Sequence, residues 1–533
     1  MKPSSFSTIA TKSCAHELIG LLLSLSVFHP GTIIYVMADT ATQKEIQSMT
    51  PKVKVDIKWF IELDNYSSLN RKKMEDLGIF RDFLKSKARI MMYALDSNKD
   101  VLFLDSDIIL TDKITCIEGN KKLGVSRQYI RESECKTTGE YNAGMIWTNS
   151  KNVCQDWIKY TDTSRYFEQA AIEDLVVKYK NSYFLFGEEH NIQCWRYYLN
   201  PDPEPFQTKI KLAESGQVLY KNKRIASIHT HFRDPRFNEF NKLMIDNFSK
   251  TKQYKIILII YRLLNGVWLL RIPKNQHMDS FRELAMEIGK RINDVLLIKT
   301  KDKHCWLSKD IMLYDRPTLE WMDNEASTAS LILMGNGDVK KDAIQITKKT
   351  RTPALPWIFW PRHPAILENY ILKNTFIENR PITSIFIGNI ENNIQNHFRQ
   401  PFINEWSKVV EVFRCVYGQK HVLSQTEYLH HMANSKYGLC IRGYGVKCHR
   451  EMELMALGTV PIVTNDVNTS SFMEPLIKNT HFLFASTPEE FKKVIENTSD
   501  HKWKEMSNNC IAWYKRNINS LYAWETMISR ILF

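Results

Sequence analysis

From residue 5 to about 235, short apolar strands alternate with helical stretches. That rhythm restricts the first half of the chain to an α/β fold with a largely parallel, Rossmann-like sheet. Strands are expected at STIAT (7–11), TIIYVMA (32–38), VKVDIKWF (53–60) and VLFL (101–104), with helices over 16–28 and 80–96. The chain has 533 residues, more than one core holds, since single cores stop growing at about 250–300 residues. We expect a domain at 1–245, a helical linker at 246–280 and a second domain at 281–533, built of halves at about 281–380 and 381–533.

Several classes of function fall away early. The net charge of +13 would suit a nucleic-acid binder, but the Lys and Arg residues are spread along the chain and no zinc-finger, RNP or basic-zipper pattern joins them. No nucleic-acid partner is expected. Ten cysteines without C-x-x-C spacing fit a reducing, cytoplasmic setting. No apolar run reaches the roughly 18–20 residues of a membrane span. The nearest is YKIILIIYRLLNGVWLLRIP (254–273), broken by Arg262 and Asn265. It reads as a buried helix joining the domains, with a peripheral interfacial helix as the rival.

The stretch VLFLDSDIIL (101–110) ends a buried strand with two carboxylates. Ligands of parallel sheets gather at the carboxyl ends of strands, and period-2 geometry would point Asp105 and Asp107 the same way with Ser106 opposed. Like charges so close raise each other's pKa unless a cation lies between them. Hard oxygen donors suit Mg²⁺ or Mn²⁺, which leave positions for phosphate oxygens and neutralise a departing diphosphate. In RIASIHTHFRD (224–234), His229 and His231 share one face of a short strand and are candidate ligands. Asn142–Ala143–Gly144 forms a small-residue turn in which Gly144 permits close backbone approach to a sugar. In YFEQAAIEDL (166–175), Glu168, Gln169, Glu173 and Asp174 supply acceptors, several of which must face solvent at helical spacing.

A D-x-D after an apolar strand, an N-x-G segment some forty residues on, an acidic residue next to Gln and a late His resemble the GT-A glycosyltransferases of the glycogenin-like type, over about residues 5–235. The resemblance implies Mn²⁺ or Mg²⁺ and a nucleotide sugar at Asp105 and Asp107, with His229 or His231 completing the metal set. It also implies sugar-nucleotide contacts at Asn142, Gly144 and Gln169, and Glu168 or Asp174 as catalytic carboxylate. The chain departs from the pattern after the histidine, where HTHFRDPRF replaces the usual G-x-x-K-P-W-like ending.

The second half holds YGLCIRGYGVKCHREMELMALGTVPIVTND (437–466). It reads as a short strand, a glycine loop, a helix over 448–457 that Gly458 ends, and another strand. Amides at a helix start together with Arg442, Lys447 and Arg450 would bind phosphate without a metal. Glu453, on the same side as Arg450 by i, i+3 spacing, would take ribose hydroxyls. The stretch resembles the nucleotide-binding half of exostosin-like GT-B glycosyltransferases, G-x-G-x-D-C-H-R-x-x-E-x-L-x-x-G-x-x-P-I, except that Lys447 stands where the acid is expected. The likeness covers about 384–520, with Gly443 and Gly445 in the loop and Gly388 and Arg399 as further phosphate candidates. Trp357 and Trp360 read as packed residues rather than sugar platforms, and Asp338 and His363 are candidate bases.

Together these readings predict a bifunctional enzyme of GT-A and GT-B units acting on nucleotide-diphosphate sugars and a glycan or glycoprotein acceptor, with a metal in the first unit and none in the second. Tandem enzymes of this architecture resemble those of large DNA viruses, which implies host-cell cytoplasm. One alternative is a single active transferase with a nucleotide- or glycan-binding module. The remote one is a D-x-D phosphohydrolase, which wants its motif on the first strand.

Overall fold

The protein is described by a computed structural model over residues 1–274, 280–314, 325–338, 344, 346, 348, 350, 352–374, 379–390, 393–416, 423–443 and 445–533. It divides into a first unit, Met1–Val267 with Ile531–Phe533, and a second, Trp268–Arg530.

In the first unit the expected strands form as β1 (Phe6–Ala10), β2 (Ile33–Ala38), β3 (Asp56–Ile61) and β4 (Val101–Leu104), followed by β5 (Ile108–Leu110), β6 (Leu123–Arg127), β7 (Tyr141–Thr148) and β8 (Tyr183–Leu185). The main sheet runs β3-β2-β1-β4-β7-β6-β8. Its first four strands are parallel, and β7 runs antiparallel to β4 and β6. The helix Phe80–Leu95 crosses over between β3 and β4 and buries Phe80, Leu84, Lys87, Met91 and Ala94. That is one stripe at i, i+4, i+7 spacing, with a lysine in the middle of it.

Beyond β8 come β9 (Ile192–Gln193), the small antiparallel β10 (Ile210–Leu212), β11 (Val218–Tyr220) and β12 (Lys223–Arg224), and then β13 (Ser227–His229). A separate sheet of order β5-β13-β9 pairs His229 with Ile108 and with Gln193. The late histidine therefore sits one residue from Asp107 in the neighbouring strand. The helix Tyr254–Asn265 buries Ile256 through Ile260 and packs against the helix Ala15–Phe28, where a Cβ on Gly20 would lie 2.5 Å from Leu263 Cδ1. It is part of the first unit's core, not a linker between bodies. No described helix is long and apolar enough to cross a membrane, and all ten cysteines are free.

Among the described residues the second unit has two sheets. The first comprises β14 (Trp268–Pro273), β15 (Val295–Thr300), β16 (Cys305–Leu307), β17 (Ile311–Tyr314), β18 (Leu331–Met334) and β19 (Ala354–Pro356), in the order β15-β14-β16-β17-β18-β19. The other comprises β20 (Ile382–Asn389), β21 (Val412–Val416), β22 (Ser435–Cys440), β23 (Val460–Val463) and β24 (Leu483–Phe484), in the order β21-β20-β22-β23-β24, all parallel. Strand order reverses between β20 and β22, so the crevice of such a sheet opens at their carboxyl ends. Trp357 and Trp360 are 1% and 5% exposed, the packed reading of those residues.

Candidate functional sites

In the first unit β4 stops at Leu104, and Asp105–Ser106–Asp107 is a turn closed by the Ile108 amide donating to Asp105 O at 3.1 Å. The extended period-2 placement expected of the two aspartates is therefore replaced by a turn, yet both carboxylates face one point. Asp105, Asp107 and His229 bring their ligand atoms within 4.8 Å of one another. His229 Nε2 is 3.2 Å from Asp107 Oδ1 and 3.9 Å from Asp105 Oδ2. Asn191 Oδ1 meets the other ring nitrogen, Nδ1, at 3.2 Å, so His229 presents Nε2 to the aspartates.

Asn142 and Gly144 lie inside β7, not in a turn. Asn142 Oδ1 accepts from the Gly144 amide at 3.0 Å and from Asn191 Nδ2 at 3.0 Å, which ties the strand to the histidine's anchor. A Cβ on Gly144 would lie 2.4 Å from His229 Cε1 and 2.7 Å from Asp105 Oδ2. The glycine thus makes room for the acidic cluster itself, which is a tighter requirement than access for a sugar.

Lys87 is the residue that the motifs missed. Its ammonium lies 2.8 Å from Asp105 Oδ1 and 3.0 Å from Glu168 Oε1, with the lysine and Glu168 side chains under 10% exposed. Burial alone would lower the Lys87 pKa, but the Asp105 and Glu168 carboxylates outweigh it and hold the ammonium charged. Glu168, expected as a catalytic carboxylate, is therefore half of a buried ion pair. Asp174, six residues on along the helix Phe167–Lys178, points elsewhere and is exposed. Gln169 donates to Thr138 O at 3.0 Å.

His231 stands outside the three-residue group. Its Nδ1 meets Glu17 Oε1 at 2.6 Å, and its Nε2 lies 3.4 Å from Asp107 Oδ2. Burial works against its charge, but the Glu17 hydrogen bond and the Asp107 charge raise its pKa to about 9. Burial also opposes ionisation of Asp107, yet His229 and then His231 hold its carboxyl well below the usual range. Two carboxylate oxygen donors and a tautomer-fixed imidazole fit a hard divalent cation such as Mn²⁺ or Mg²⁺.

In the second unit the carboxyl ends of β20 and β22 border a cleft of about 1080 Å³. Of the sequence candidates, Gly388, Arg399, Gly443, Gly445, Lys447, Arg450 and Glu453 line it. Arg450 donates to Ile387 O through Nε at 3.3 Å and Nη2 at 3.1 Å, and its Nη1 is buried without a hydrogen-bond partner. Arg399 donates to Arg442 O at 3.1 Å and to Asn389 O. Burial, and then the neighbouring Arg450 charge, lower its pKa to about 10. Two buried guanidiniums side by side with an unused donor make a place for an anion. Gly388 and Gly443 are required by it: a Cβ on either would lie 2.5 Å from Arg450 Nη2 or 2.9 Å from Arg399 Nη2.

Three expectations at this site change. The helix forms over His449–Ala456, and its start caps itself, since the Cys448 amide donates to Glu451 Oε2. Burial pushes the Glu451 pKa up to about 7. The Cys448 amide is therefore taken up within the helix start itself. Arg442 stacks on the Phe398 ring at 4.3 Å instead of lining the cleft. Lys447 lines it, but its ammonium donates to Gly335 O at 3.1 Å and to Ser471 O, bracing the loop against the preceding sheet. Glu453 is 2% exposed and accepts from Tyr428 Oη at 2.9 Å and the Arg362 amide at 3.2 Å. Asp338 accepts from Ser471 Oγ at 2.9 Å.

Each α/β unit collects polar groups where its strands end, the place at which such sheets bind ligands. Within the second unit, residues 320–477 match the Exostosin GT47 domain, a glycosyltransferase domain. That match begins well before 384, where the likeness read from the sequence starts. No curated protein matches the chain. Among solved structures, the galactosyltransferase LgtC with donor and acceptor sugar analogues aligns at 15% identity, 45% of this chain and 94% of that one, TM-score 0.31. The glycosyltransferase GlyE of Streptococcus pneumoniae TIGR4 aligns at 13%, covering 67% and 92%, TM-score 0.31. Mouse xyloside xylosyltransferase 1 aligns at 10%, covering 42% and 97%, TM-score 0.29.

Proposed function

We propose that the chain carries two sugar-transfer sites that hold the donor diphosphate by opposite means. The observation that carries this reading is the contrast in charge: Asp105, Asp107 and His229 converge in the first unit, and buried Arg399 and Arg450 converge in the second. Asp105, Asp107 and His229 would hold Mn²⁺ or Mg²⁺, which supplies positive charge to a leaving diphosphate when bound. Lys87 holds Asp105 in place through its ion pair, while Asn191 fixes the ring of His229. In the second unit Arg399 and Arg450 take the diphosphate directly, and the leaving charge develops against donors already in place. The acceptor is a glycan or glycoprotein hydroxyl.

Transfer from a panel of nucleotide sugars, with and without Mn²⁺, tests the reading. Asp107→Ala is expected to abolish the Mn²⁺-dependent reaction and leave a metal-independent one. Survival of both reactions in that variant removes the metal assignment. Loss of all turnover in it, with nucleotide still bound by the second unit, leaves a single transferase with a binding module.

A further inference from the structure

The second site has leaving-group donors, but the carboxylates first in view are committed elsewhere: Glu453 accepts from Tyr428 and Arg362, and Asp338 from Ser471. Transfer still requires that an acceptor hydroxyl lose its proton. His449 lines the cleft, but its Nδ1 meets Trp360 O at 2.8 Å, its ring stacks on Phe359 at 5.4 Å and 3°, and burial lowers its pKa. His363 is different. It lines the same cleft, its side chain is 41% exposed, and its Nδ1 is 3.5 Å from Glu283 Oε2.

Glu283 is itself held in place. Its other oxygen accepts from the Ala365 amide at 3.1 Å, at the start of the helix Pro364–Lys373. A carboxylate on the Nδ1 side of the ring favours the proton on that nitrogen, which leaves Nε2 to accept one, and its charge favours the imidazolium once formed. His363 also comes from the β14–β19 half of the unit, whereas Arg399 and Arg450 come from the β20–β24 half. In a direct displacement the nucleophile approaches from the side away from the leaving group, so a base in the facing half is where the chemistry needs one.

We infer that His363 is the catalytic base of the second site and Glu283 its positioning residue, an inference that rests on the donor reading of the Arg399–Arg450 pair. The acceptor hydroxyl gives its proton to His363 Nε2 as its oxygen bonds to the sugar's anomeric carbon. The bond from that carbon to the diphosphate oxygen breaks, and its electron pair leaves with the nucleoside diphosphate onto Arg399 and Arg450. The imidazolium then returns its proton to solvent.

The test uses the full chain carrying Asp107→Ala in metal-free buffer. Release of nucleoside diphosphate from UDP- and GDP-sugars is followed, with water or added glycan as acceptor. His363→Gln is expected to slow release about 100- to 1,000-fold, the scale of a positioned general base, with UDP and GDP affinity within twofold of the parent. Glu283→Gln is expected to lower kcat about tenfold with the donor KM unchanged, because the carboxylate acts through the imidazole. Release within threefold of the parent in His363→Gln overturns the dyad and leaves the donor site standing. Parallel loss of affinity makes His363 a donor contact, which also overturns it. A parent that binds neither UDP nor GDP removes the donor reading and the dyad with it.

Discussion

In the first unit the buried lysine is outnumbered by carboxylates; in the second, two buried arginines face a cleft with a guanidinium nitrogen unused. The difference teaches how each unit tolerates charge in its interior. The first surrounds its carboxylates with Lys87, His229 and His231, and the two histidines hold the Asp107 carboxyl well below its usual range. The second spreads its guanidiniums over backbone carbonyls and aromatic faces, with Arg450 at 4.5 Å from the Phe386 ring centroid. One site gathers carboxylates and the other guanidiniums.

The sharpest way to break this contrast is Lys87→Met. Removing one partner of a buried pair leaves Asp105 and Glu168 uncompensated, a loss of about 3–5 kcal/mol. Because a divalent ion would offer Asp105 a second positive partner, Mn²⁺ should raise the Tm of Lys87→Met more than that of the parent. Equal Mn²⁺ shifts in a thermal melt would show that lysine and metal do not share the aspartate.

Next in size is Arg450→Met, which keeps bulk over Phe386 but removes the unpaired donor. A charged hydrogen bond is worth about 1.5–3 kcal/mol, so nucleoside diphosphate affinity of the second unit should fall about 10- to 100-fold while Mn²⁺ binding by the first stays put. Calorimetric titration of the full chain reads both. An unaltered nucleotide affinity would place the diphosphate elsewhere in the cleft.

Gly144→Ala sharpens the first half of the comparison. Its methyl group would lie 2.4 Å from His229 Cε1 and 2.7 Å from Asp105 Oδ2, so the ligands must part. Disturbing the support of metal ligands typically costs about 10- to 100-fold in affinity, and the lower end is expected because only a methyl is added. Mn²⁺ affinity equal to the parent's would mean that the cluster opens without cost.

How far the residues announced these sites depends on how local each signal was. Asp105 and Asp107 follow four apolar strand residues, and His229 closes a short strand, so spacing alone brought them forward. The cleft-lining Gly443, Gly445, Arg450 and Glu453 lie in one continuous strand–loop–helix stretch and were equally legible. Lys87 was not, because KSKAR offers three basic residues in a row of five and no motif singles one out. The signal was nevertheless present: Lys87 occupies the stripe of Phe80, Leu84, Met91 and Ala94, where a solvated lysine has no business. Asn191 and Glu17 gave no such sign, since each becomes part of the site only through contacts distant in sequence. The turn at Asp105–Asp107 and the self-capped helix at Cys448 were missed for a common reason. Both depend on which backbone amide finds a partner first, and periodicity does not encode that.

The smallest effect separates two roles for Glu453. Read from i, i+3 spacing it is a ribose contact; in the fold its two oxygens accept from Tyr428, from the Arg362 amide and, at 3.4 Å, from Gln425. A carboxylate has about four lone-pair sites, so capacity for one ribose hydroxyl remains beside its structural bonds. Glu453→Gln keeps the shape and the acceptor oxygen and removes the charge. If the ribose bond is charge-assisted, affinity for a nucleoside diphosphate falls about three- to tenfold while affinity for inorganic pyrophosphate is unchanged, since only the former carries the ribose. If Glu453 acts solely as a brace between the β14–β19 and β20–β24 halves, Tm falls and both ligands weaken together.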